Sequence, residues 1–486
     1  MRDIQFPGRS VVMSTNGMVA TSQPLATEAG LGVLRRGGNA MDAAIAACAV
    51  QCVTEPQSTG IGGDCFVLYH EAKTGKLHGL NGSGRAPARA TLEAFRSRGL
   101  SEIPMRGILS VSVPGSIHAW ETALGKFGTL GLDTLLQPAI DLAEGGFPVT
   151  PVVSVFWKNH RELLAATKEA RAAYLPGGGA PAAGSRFRCP DLAASLRLVA
   201  EQGPRAFYSG SIAEAIVAYS RANDGLLEME DLAGHQSEWV QPIGTDYRGL
   251  TLYEIPPNGQ GITALMALNI LEQLPLGEME HLSADYIHTV VEAYKLATTE
   301  RDRFVSDMQF GEVPIEALLA KDFARRQLAR IDPARAANYP LASGLPEHHD
   351  TVTLSVVDRD RNAVSFINSL SMGFGSGLVA GNTGITLQNR GAGFVLEEGH
   401  FNCLAPGKRP LHTIIPAMAY RGGQPVLAFG VMGGFYQPMG HAYVLTNWLD
   451  FGMDLQQAID APRFLPAKGV LTVERGIPAQ TRAELE

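Results

Sequence analysis

The sequence predicts a mixed α/β protein that is rich in helices up to about residue 350 and rich in short strands after it. Before that point, most segments carry apolar residues at three- and four-residue spacing, the spacing of one helix face. After it, runs such as "TVTLSVVD" (351–358) and "NAVSFINSL" (362–370) combine β-branched residues with flanking turn residues. A chain of 486 residues is long enough to build a large core.

The N-terminal part is predicted to begin with two helices and a hairpin. "PLATEAGLGVLRRGG" (24–38) has helical spacing and ends in two glycines, which suit a helix C-terminus. Asn39 can cap a second helix, which Pro56 then ends. Strand-like runs on either side of "KTGK" (73–76) predict a hairpin.

Helical patterns then dominate the chain as far as Arg330. One strand-like insert, "YRGLTLYEI" (247–255), interrupts them. The strongest helical patterns cover 134–146, 191–203, 212–223 and 284–304. Beyond residue 350 the predicted β-rich runs also include 377–389 and 425–434, and "DRDRN" (358–362) is a tight connection.

Charge and composition exclude several classes of partner. The formal net charge is −8, without a basic block, so we expect no nucleic-acid partner. The longest apolar segment, 40–53, is short and contains Asp42, and the N-terminus lacks the pattern of a secretory signal, so we expect no membrane partner. The odd, scattered cysteines indicate reduced thiols, and together these features predict a cytoplasmic protein; the cysteines are Cys48, Cys52, Cys65, Cys189 and Cys403.

The glycine and histidine clusters do not predict a cofactor or a metal site. "GIGGD" (60–64), "GFGSG" (373–377) and "GVMGG" (430–434) match neither the phosphate loop nor the dinucleotide fingerprint, so each is interpreted as a tight turn. His348 and His349 precede Asp350, but adjacent residues on an extended chain point to opposite sides, which favours a loop over chelation.

Thr351 opens the strand-rich part and admits two interpretations. A threonine hydroxyl becomes a nucleophile when a base takes its proton, and the α-amine of a chain that begins with threonine can be that base. An unperturbed α-amine titrates at about 7.7–8.0, so part of it is neutral near neutral pH. Taken alone, however, Thr351 is more simply an ordinary strand residue.

The stretch "TVTLSVVDRDRNAV" (351–364) resembles the gamma-glutamyltransferase (glutathione hydrolase) family, whose precursors cut themselves in front of a threonine. The resemblance covers nearly the whole chain, and it continues in 17–47, 60–66, 374–389, 405–418, 430–434 and 460–464. It implies the four-layer αββα sandwich of the N-terminal-nucleophile hydrolases. It also implies a large subunit, 1–350, and a small subunit, 351–486, cut from one precursor, and a role in glutathione metabolism. It leaves a homodimer open.

The resemblance also assigns a mechanism to particular residues. Thr351 would attack the carbonyl of Asp350 during self-cleavage, and would then attack a small-molecule amide to form an acyl-enzyme that water or an amine resolves. Gly433 and Gly434 would donate backbone N–H groups to the oxyanion. Ser369 stands where the family usually has a second threonine that hydrogen-bonds the nucleophile.

Several expected substrate-binding residues are exchanged. The family's carboxylate-binding arginine corresponds to Ser83, with Arg85 two residues later. The paired serines that help to hold that carboxylate are replaced by His412 and Thr413, and Ser371 stands where an asparagine is usual.

The acidic partner of the substrate ammonium is also exchanged. It corresponds to Gly393, and a neighbouring polar position is Arg390. Losing the acid and gaining an arginine favours a second carboxylate over an ammonium. The alternative is that Arg85 and Arg390 pair with acids of the protein itself.

Three functional hypotheses follow. The first is a self-processing amidohydrolase or acyltransferase that cleaves gamma-glutamyl, or similar small acidic, amides through acyl-Thr351. The second is a glutaryl or cephalosporin-type acylase, or an oxamate-type amidohydrolase, with an altered acyl pocket. The third, of another class, is an inactive binding homologue.

Overall fold

Two antiparallel sheets lie face to face between two layers of helices. This computed structural model describes residues 8–338, 350–467 and 469–486. The first sheet has the strand order β1-β9-β10-β2-β3-β6 and the second has β12-β11-β8-β7. The predicted four-layer αββα sandwich is confirmed.

The elements are numbered in chain order. The helices α1 to α20 are Pro24–Arg35, Ala40–Thr54, Leu92–Arg96, Ser116–Phe127, Leu132–Leu135, Gln137–Gly145, Pro151–Asn159, Arg161–Ala165, Lys168–Tyr174, Pro190–Gln202, Pro204–Tyr208, Ser211–Ala222, Met229–Ala233, Gly261–Leu271, Ala284–Phe304, Ile315–Leu319, Lys321–Leu328, Gln437–Leu449, Leu455–Asp460 and Ala479–Leu485. The strands β1 to β14 are Met18–Ala20, Asp64–Glu71, Lys76–Gly82, Phe147–Pro148, Arg186–Phe187, Glu238–Val240, Ile243–Tyr247, Leu250–Glu254, Asp350–Val357, Ala363–Ser371, Ala417–Arg421, Gln424–Phe429, Phe464–Ala467 and Val470–Val473.

Each helical layer covers the outer face of one sheet. Helix α2 contacts β9 and β10 of the first sheet, and all of its residues are buried because it is apolar almost all round. The side chain of Asn39 caps α2, as predicted. Helix α14 is likewise fully buried, and it contacts β7 and β8 of the second sheet. A third apolar cluster lies between the sheets and includes Phe66, Ile367, Ile414 and Met418.

Most predicted elements are confirmed, two are corrected, and strand β11 was not predicted. The insert at 247–255 contributes to two strands, because Arg248 and Gly249 both have positive φ and turn the chain between β7 and β8. The run 377–389 forms only an isolated bridge, between Val379 and Thr386. His348 and His349 lie outside the described residues.

The cysteines and the helix lengths can be described directly. All five cysteines are free thiols in the structure. None of the helices in the described parts of the chain is long and apolar enough to cross a membrane.

Candidate active site

Thr351 lies near the start of β9, at a break in the pairing with β10. Val352 pairs with Asn368 and Asp350 pairs with Ser371, so that Ser369 and Leu370 together stand opposite Thr351. This arrangement is a β-bulge, a feature that re-aims side chains and is common beside active sites. It brings the Thr351 and Ser369 hydroxyls within 3.2 Å of each other.

Two groups donate hydrogen bonds to the Ser369 hydroxyl oxygen. Its Oγ accepts the N–H of Ser371 at 2.8 Å and Nη2–H of Arg390 at 3.1 Å. Because a hydroxyl oxygen that accepts two hydrogen bonds still carries its own proton, Ser369 can donate this proton to Thr351 Oγ1. A hydrogen bond donated to Oγ1 stabilises negative charge on that atom, as a nucleophile requires.

Glycine is needed where the neighbouring strand passes Ser369. A Cβ on Gly63 would lie 2.2 Å from the Ser369 carbonyl oxygen, and one on Gly62 would lie 2.2 Å from that of Thr386. The "GIGGD" cluster therefore permits a close backbone approach that any other residue would block. Ser369 also pairs with Asp64, which ends this cluster.

Arg390 is buried beside the two hydroxyls. Besides its bond to Ser369, its Nη1 donates to Thr413 Oγ1 at 2.6 Å. No carboxylate of the described residues lies within ion-pair distance of it, and its buried Nε has no hydrogen-bond partner among them. Burial lowers the pKa of Arg390 to about 10, and the negative charge of Asp64 opposes this shift. The guanidinium thus remains charged near neutral pH and keeps donors for another group.

Gly433 and Gly434 form the turn that begins α18. Their φ values are +119° and +55°, in the region that favours glycine. No acceptor among the described residues is recorded for either N–H group. Both groups can therefore donate to an oxyanion.

The side chain of Gln260 bonds both to this glycine turn and to Thr413, whose hydroxyl accepts a hydrogen bond from Arg390. Its Nε2 donates to the carbonyls of Gly434 and Thr413, both at 2.8 Å, and its Oε1 accepts from Arg301 Nη1 at 3.0 Å. The side chain is fully buried. One amide therefore fixes the glycine turn and the Thr413 backbone relative to each other.

A cleft of about 1160 Å³ opens at Thr351. Thr351 is only 1 % exposed, yet it lines the cleft together with Gly433. Glu55, Gln57 and Ser58 also line this cleft. The nucleophile candidate and one oxyanion candidate thus face a common space.

The chain is similar to several characterised proteins over nearly its whole length. Residues 26–486 match the family model described as gamma-glutamyltranspeptidase. The chain is 42% identical over 455 residues to the glutathione hydrolase-like YwrD proenzyme of Bacillus subtilis, covering 93% of this chain and 86% of that protein. It is 36% identical over 461 residues to the oxamate amidohydrolase proenzyme of Klebsiella pneumoniae, covering 93% and 85%. Its structure matches the crystal structure of a cephalosporin acylase from Bacillus halodurans with a TM-score of 0.92 and 42% identity, covering 100% and 90%.

The chain belongs to the gamma-glutamyltranspeptidase family. The predicted family is thereby confirmed, and with it the class of enzyme: a hydrolase or acyltransferase of the N-terminal-nucleophile type whose relatives are made as proenzymes.

Arg85 and His412, both predicted to bind substrate, have partners within the protein in this family member. Arg85 makes ion pairs with Glu238 at 2.9 Å and Asp307 at 3.4 Å, and donates to the carbonyl of Gly407. This is the alternative in which an arginine pairs with acids of the protein. Arg390 differs, since its recorded partners are hydroxyls.

His412 lies behind the site and is fully buried. Its Nε2–H donates to Asp64 Oδ2 at 3.0 Å, and its Nδ1 accepts from the N–H of Ile414 at 3.4 Å. Burial lowers the pKa of His412 to about 4, with a further contribution from the positive charge of Arg390. His412 is therefore neutral and supports Asp64.

Sequence reasoning missed Asp64 and Gln260. Asp64 Oδ1 accepts the N–H groups of Gly84 and Gly115 and the amide of Gln388. An acid directly after a glycine cluster was the available signal for Asp64. Gln260, within "PPNGQG", carried no recognisable signal, because its partners lie 41 to 174 residues away in the chain.

Proposed function

We propose that this protein is a self-processing amidohydrolase that cleaves amides of small acidic acyl groups through an acyl-Thr351 intermediate. The observation that carries the proposal is the bulge that sets Ser369 Oγ 3.2 Å from Thr351 Oγ1, with Thr351 at a cleft that Gly433 also lines. In the precursor, Thr351 Oγ1 attacks the carbonyl of Asp350, and water releases the resulting ester. The new α-amine of Thr351 then serves as the base.

Turnover repeats the same chemistry on a substrate. The amine takes the Thr351 hydroxyl proton while Oγ1 attacks the amide carbon, and the N–H groups of Gly433 and Gly434 stabilise the oxyanion. The proton passes to the leaving amine as the C–N bond breaks. Water, or an acceptor amine, then attacks the ester and releases the acyl group.

Cleavage and acylation test this proposal directly. Denaturing electrophoresis of the wild-type protein should give fragments of 350 and 136 residues, and Thr351→Ala should remain one band. Incubation with an amide substrate should add the acyl mass to the smaller fragment. An active wild-type protein that stays as one band would refute the mechanism, and cleaved protein that is never acylated would favour an inactive binding homologue.

The acyl specificity of this site favours a second candidate, a glutaryl-type or oxamate-type amidohydrolase. Arg390 has unused donors for a carboxylate, while Gly393 supplies no acid for a substrate ammonium. The name of the oxamate amidohydrolase relative supports this preference, because the acyl group of oxamate carries a carboxylate and no ammonium. Glutaryl and gamma-glutamyl anilides differ only by the ammonium, so their kcat/KM ratio decides the matter. Much faster gamma-glutamyl cleavage would exclude the second candidate and favour glutathione-type substrates.

A further inference from the structure

The cleft is larger than a small acyl group requires. Its volume of about 1160 Å³ is slightly above the range for sites that hold drug-sized ligands, about 300–1,000 Å³. A chain of a few carbons with one carboxylate would fill only a minor part of this volume. Arg390 is not among the residues that line the cleft, so the cleft is available to the amine half of a substrate whose carboxylate lies at Arg390.

One wall of the cleft is apolar and exposed. Helix α7 contributes Val152 and Phe156, which are 65% and 38% exposed, and the glycine turn contributes Met432, which is 39% exposed. Apolar side chains that line a cleft and remain open to water gain free energy when an apolar ligand covers them. These three residues are therefore suited to contact an apolar group.

The β13–β14 hairpin also lines the cleft, and the cation beside it is paired. Phe464, Leu465 and Val473 line the cleft from this side. Arg463, the one Lys or Arg among the described lining residues, is tied to Glu474 by three hydrogen bonds of 2.6 to 3.0 Å. A carboxylate on the amine half of a substrate would therefore meet no unpaired Lys or Arg side chain among the described lining residues.

We infer that the cleft binds the amine half of the substrate, and that this half is bulky, apolar and not anionic. The inference rests on the proposed function and adds a substrate class to it: amides that join a small acidic acyl group to a hydrophobic amine. Thr351 Oγ1 forms the ester bond, the amide C–N bond breaks, and the amine leaves with the hydroxyl proton carried by the α-amine. Water then cleaves the ester and releases the acid.

Matched amides separate binding of the amine from its chemical reactivity. The n-hexylamide and ethylamide of glutaric acid release amines of nearly equal basicity, so their kcat/KM ratio reports contact with the cleft wall. We expect the hexylamide to be favoured by about tenfold or more. Glutarylglycine, whose amine half is anionic, should be a poorer substrate than the ethylamide.

Two substitutions on one helix provide the matched comparison. Val152→Asp places a charge on the apolar wall and should bring the hexyl-to-ethyl kcat/KM ratio close to one. Val155→Asp, on the same helix at a 56% exposed position that does not line the cleft, should leave the ratio as in the wild type. Both positions are exposed, so neither change should prevent folding.

The possible results distinguish this inference from the proposed function. Ethylamide and hexylamide cleaved equally well by the wild type, or an unchanged ratio in Val152→Asp, would overturn the inference while the proposed function stands. If no amide is cleaved and no acyl group is found on Thr351, the proposed function fails and the inference fails with it.

Discussion

Replacing Gln260 by methionine tests how the glycine turn is held. Methionine has a similar length but cannot donate to the carbonyls of Gly434 and Thr413 or accept from Arg301. Each buried polar group left without a partner costs about 1–3 kcal/mol, so three such groups cost at least about 3 kcal/mol of stability. Folded domains have about 5–15 kcal/mol, and we therefore expect the variant to fold.

The kinetic effect should exceed the effect of lost stability. Complete loss of one oxyanion donor lowers kcat by about 10²–10³. Gln260→Met keeps both glycines but removes the hydrogen bond that holds the carbonyl of Gly434. We therefore expect the rate of Thr351 acylation to fall by about 10- to 100-fold. Quenched-flow mass spectrometry of the small fragment measures this rate.

Asn269 supplies the matched control. It lies on α14, which begins directly after Gln260, and it is also fully buried. Its amide donates to the carbonyl of Leu319, and its oxygen accepts from Thr245 Oγ1 and Lys321 Nζ. Asn269→Leu should lower stability with little change in the acylation rate. Equal acylation rates in the two variants, at comparable unfolding free energies, would refute the positioning role of Gln260.

Three further predictions concern the residues around the nucleophile. Ser369→Ala removes the O–H donated to Thr351 and should slow acylation about tenfold, whereas Ser369→Thr should retain the rate; equal rates in the two variants would contradict donation of this proton to Thr351. Arg390→Met should abolish the preference of the wild type for glutaryl anilide over the methyl ester of that anilide. The kcat/KM for glutaryl anilide should fall by about 10- to 100-fold. If the variant retains the preference, the substrate carboxylate binds at another residue. The pKa of the His412 side chain is about 4 in the folded protein and about 6.5 in the unfolded chain. Between pH 4 and pH 6.5 the unfolded state therefore binds more protons than the folded state. The free energy of unfolding decreases as the pH is lowered through this window. Urea unfolding at several pH values should therefore show a slope smaller by about one proton in His412→Asn, and an unchanged slope would contradict the buried neutral state.

The sequence predicts the elements whose signals are local. Helix α15 was predicted as 284–304 and spans Ala284–Phe304, because a strong apolar pattern follows the capping side chain of Ser283. The run 377–389 was predicted as strand from its β-branched residues. Gly377, Gly381 and Gly384 all adopt positive φ there, so the chain turns repeatedly and cannot extend.

The sequence was sufficient to predict which residues belong to the site, but not which hydrogen bonds and ion pairs those residues make. The motif around Thr351 identified the nucleophile candidate and its neighbour Ser369, but only the offset in strand pairing reveals the bulge that joins their hydroxyls. Arg85 and Arg390 were indistinguishable in sequence, and the difference between them lies in acids contributed by distant segments: Glu238 and Asp307 approach Arg85, whereas none approaches Arg390 within ion-pair distance in the described residues.

The buried charge of Arg390 explains why the acyl pocket should select a diacid. Removing a guanidinium from water is costly unless negative charge compensates it. Asp64 supplies part of this compensation, but its oxygens accept four hydrogen bonds from other groups, one of them from His412, and neither oxygen lies within ion-pair distance of Arg390. A substrate carboxylate at the remaining guanidinium donors would complete the charge balance and satisfy the buried Nε. A substrate ammonium at the same place would add a second positive charge, with Gly393 offering no acid against it. The electrostatics that leave Arg390 incompletely paired therefore favour acyl groups that end in a carboxylate and carry no ammonium.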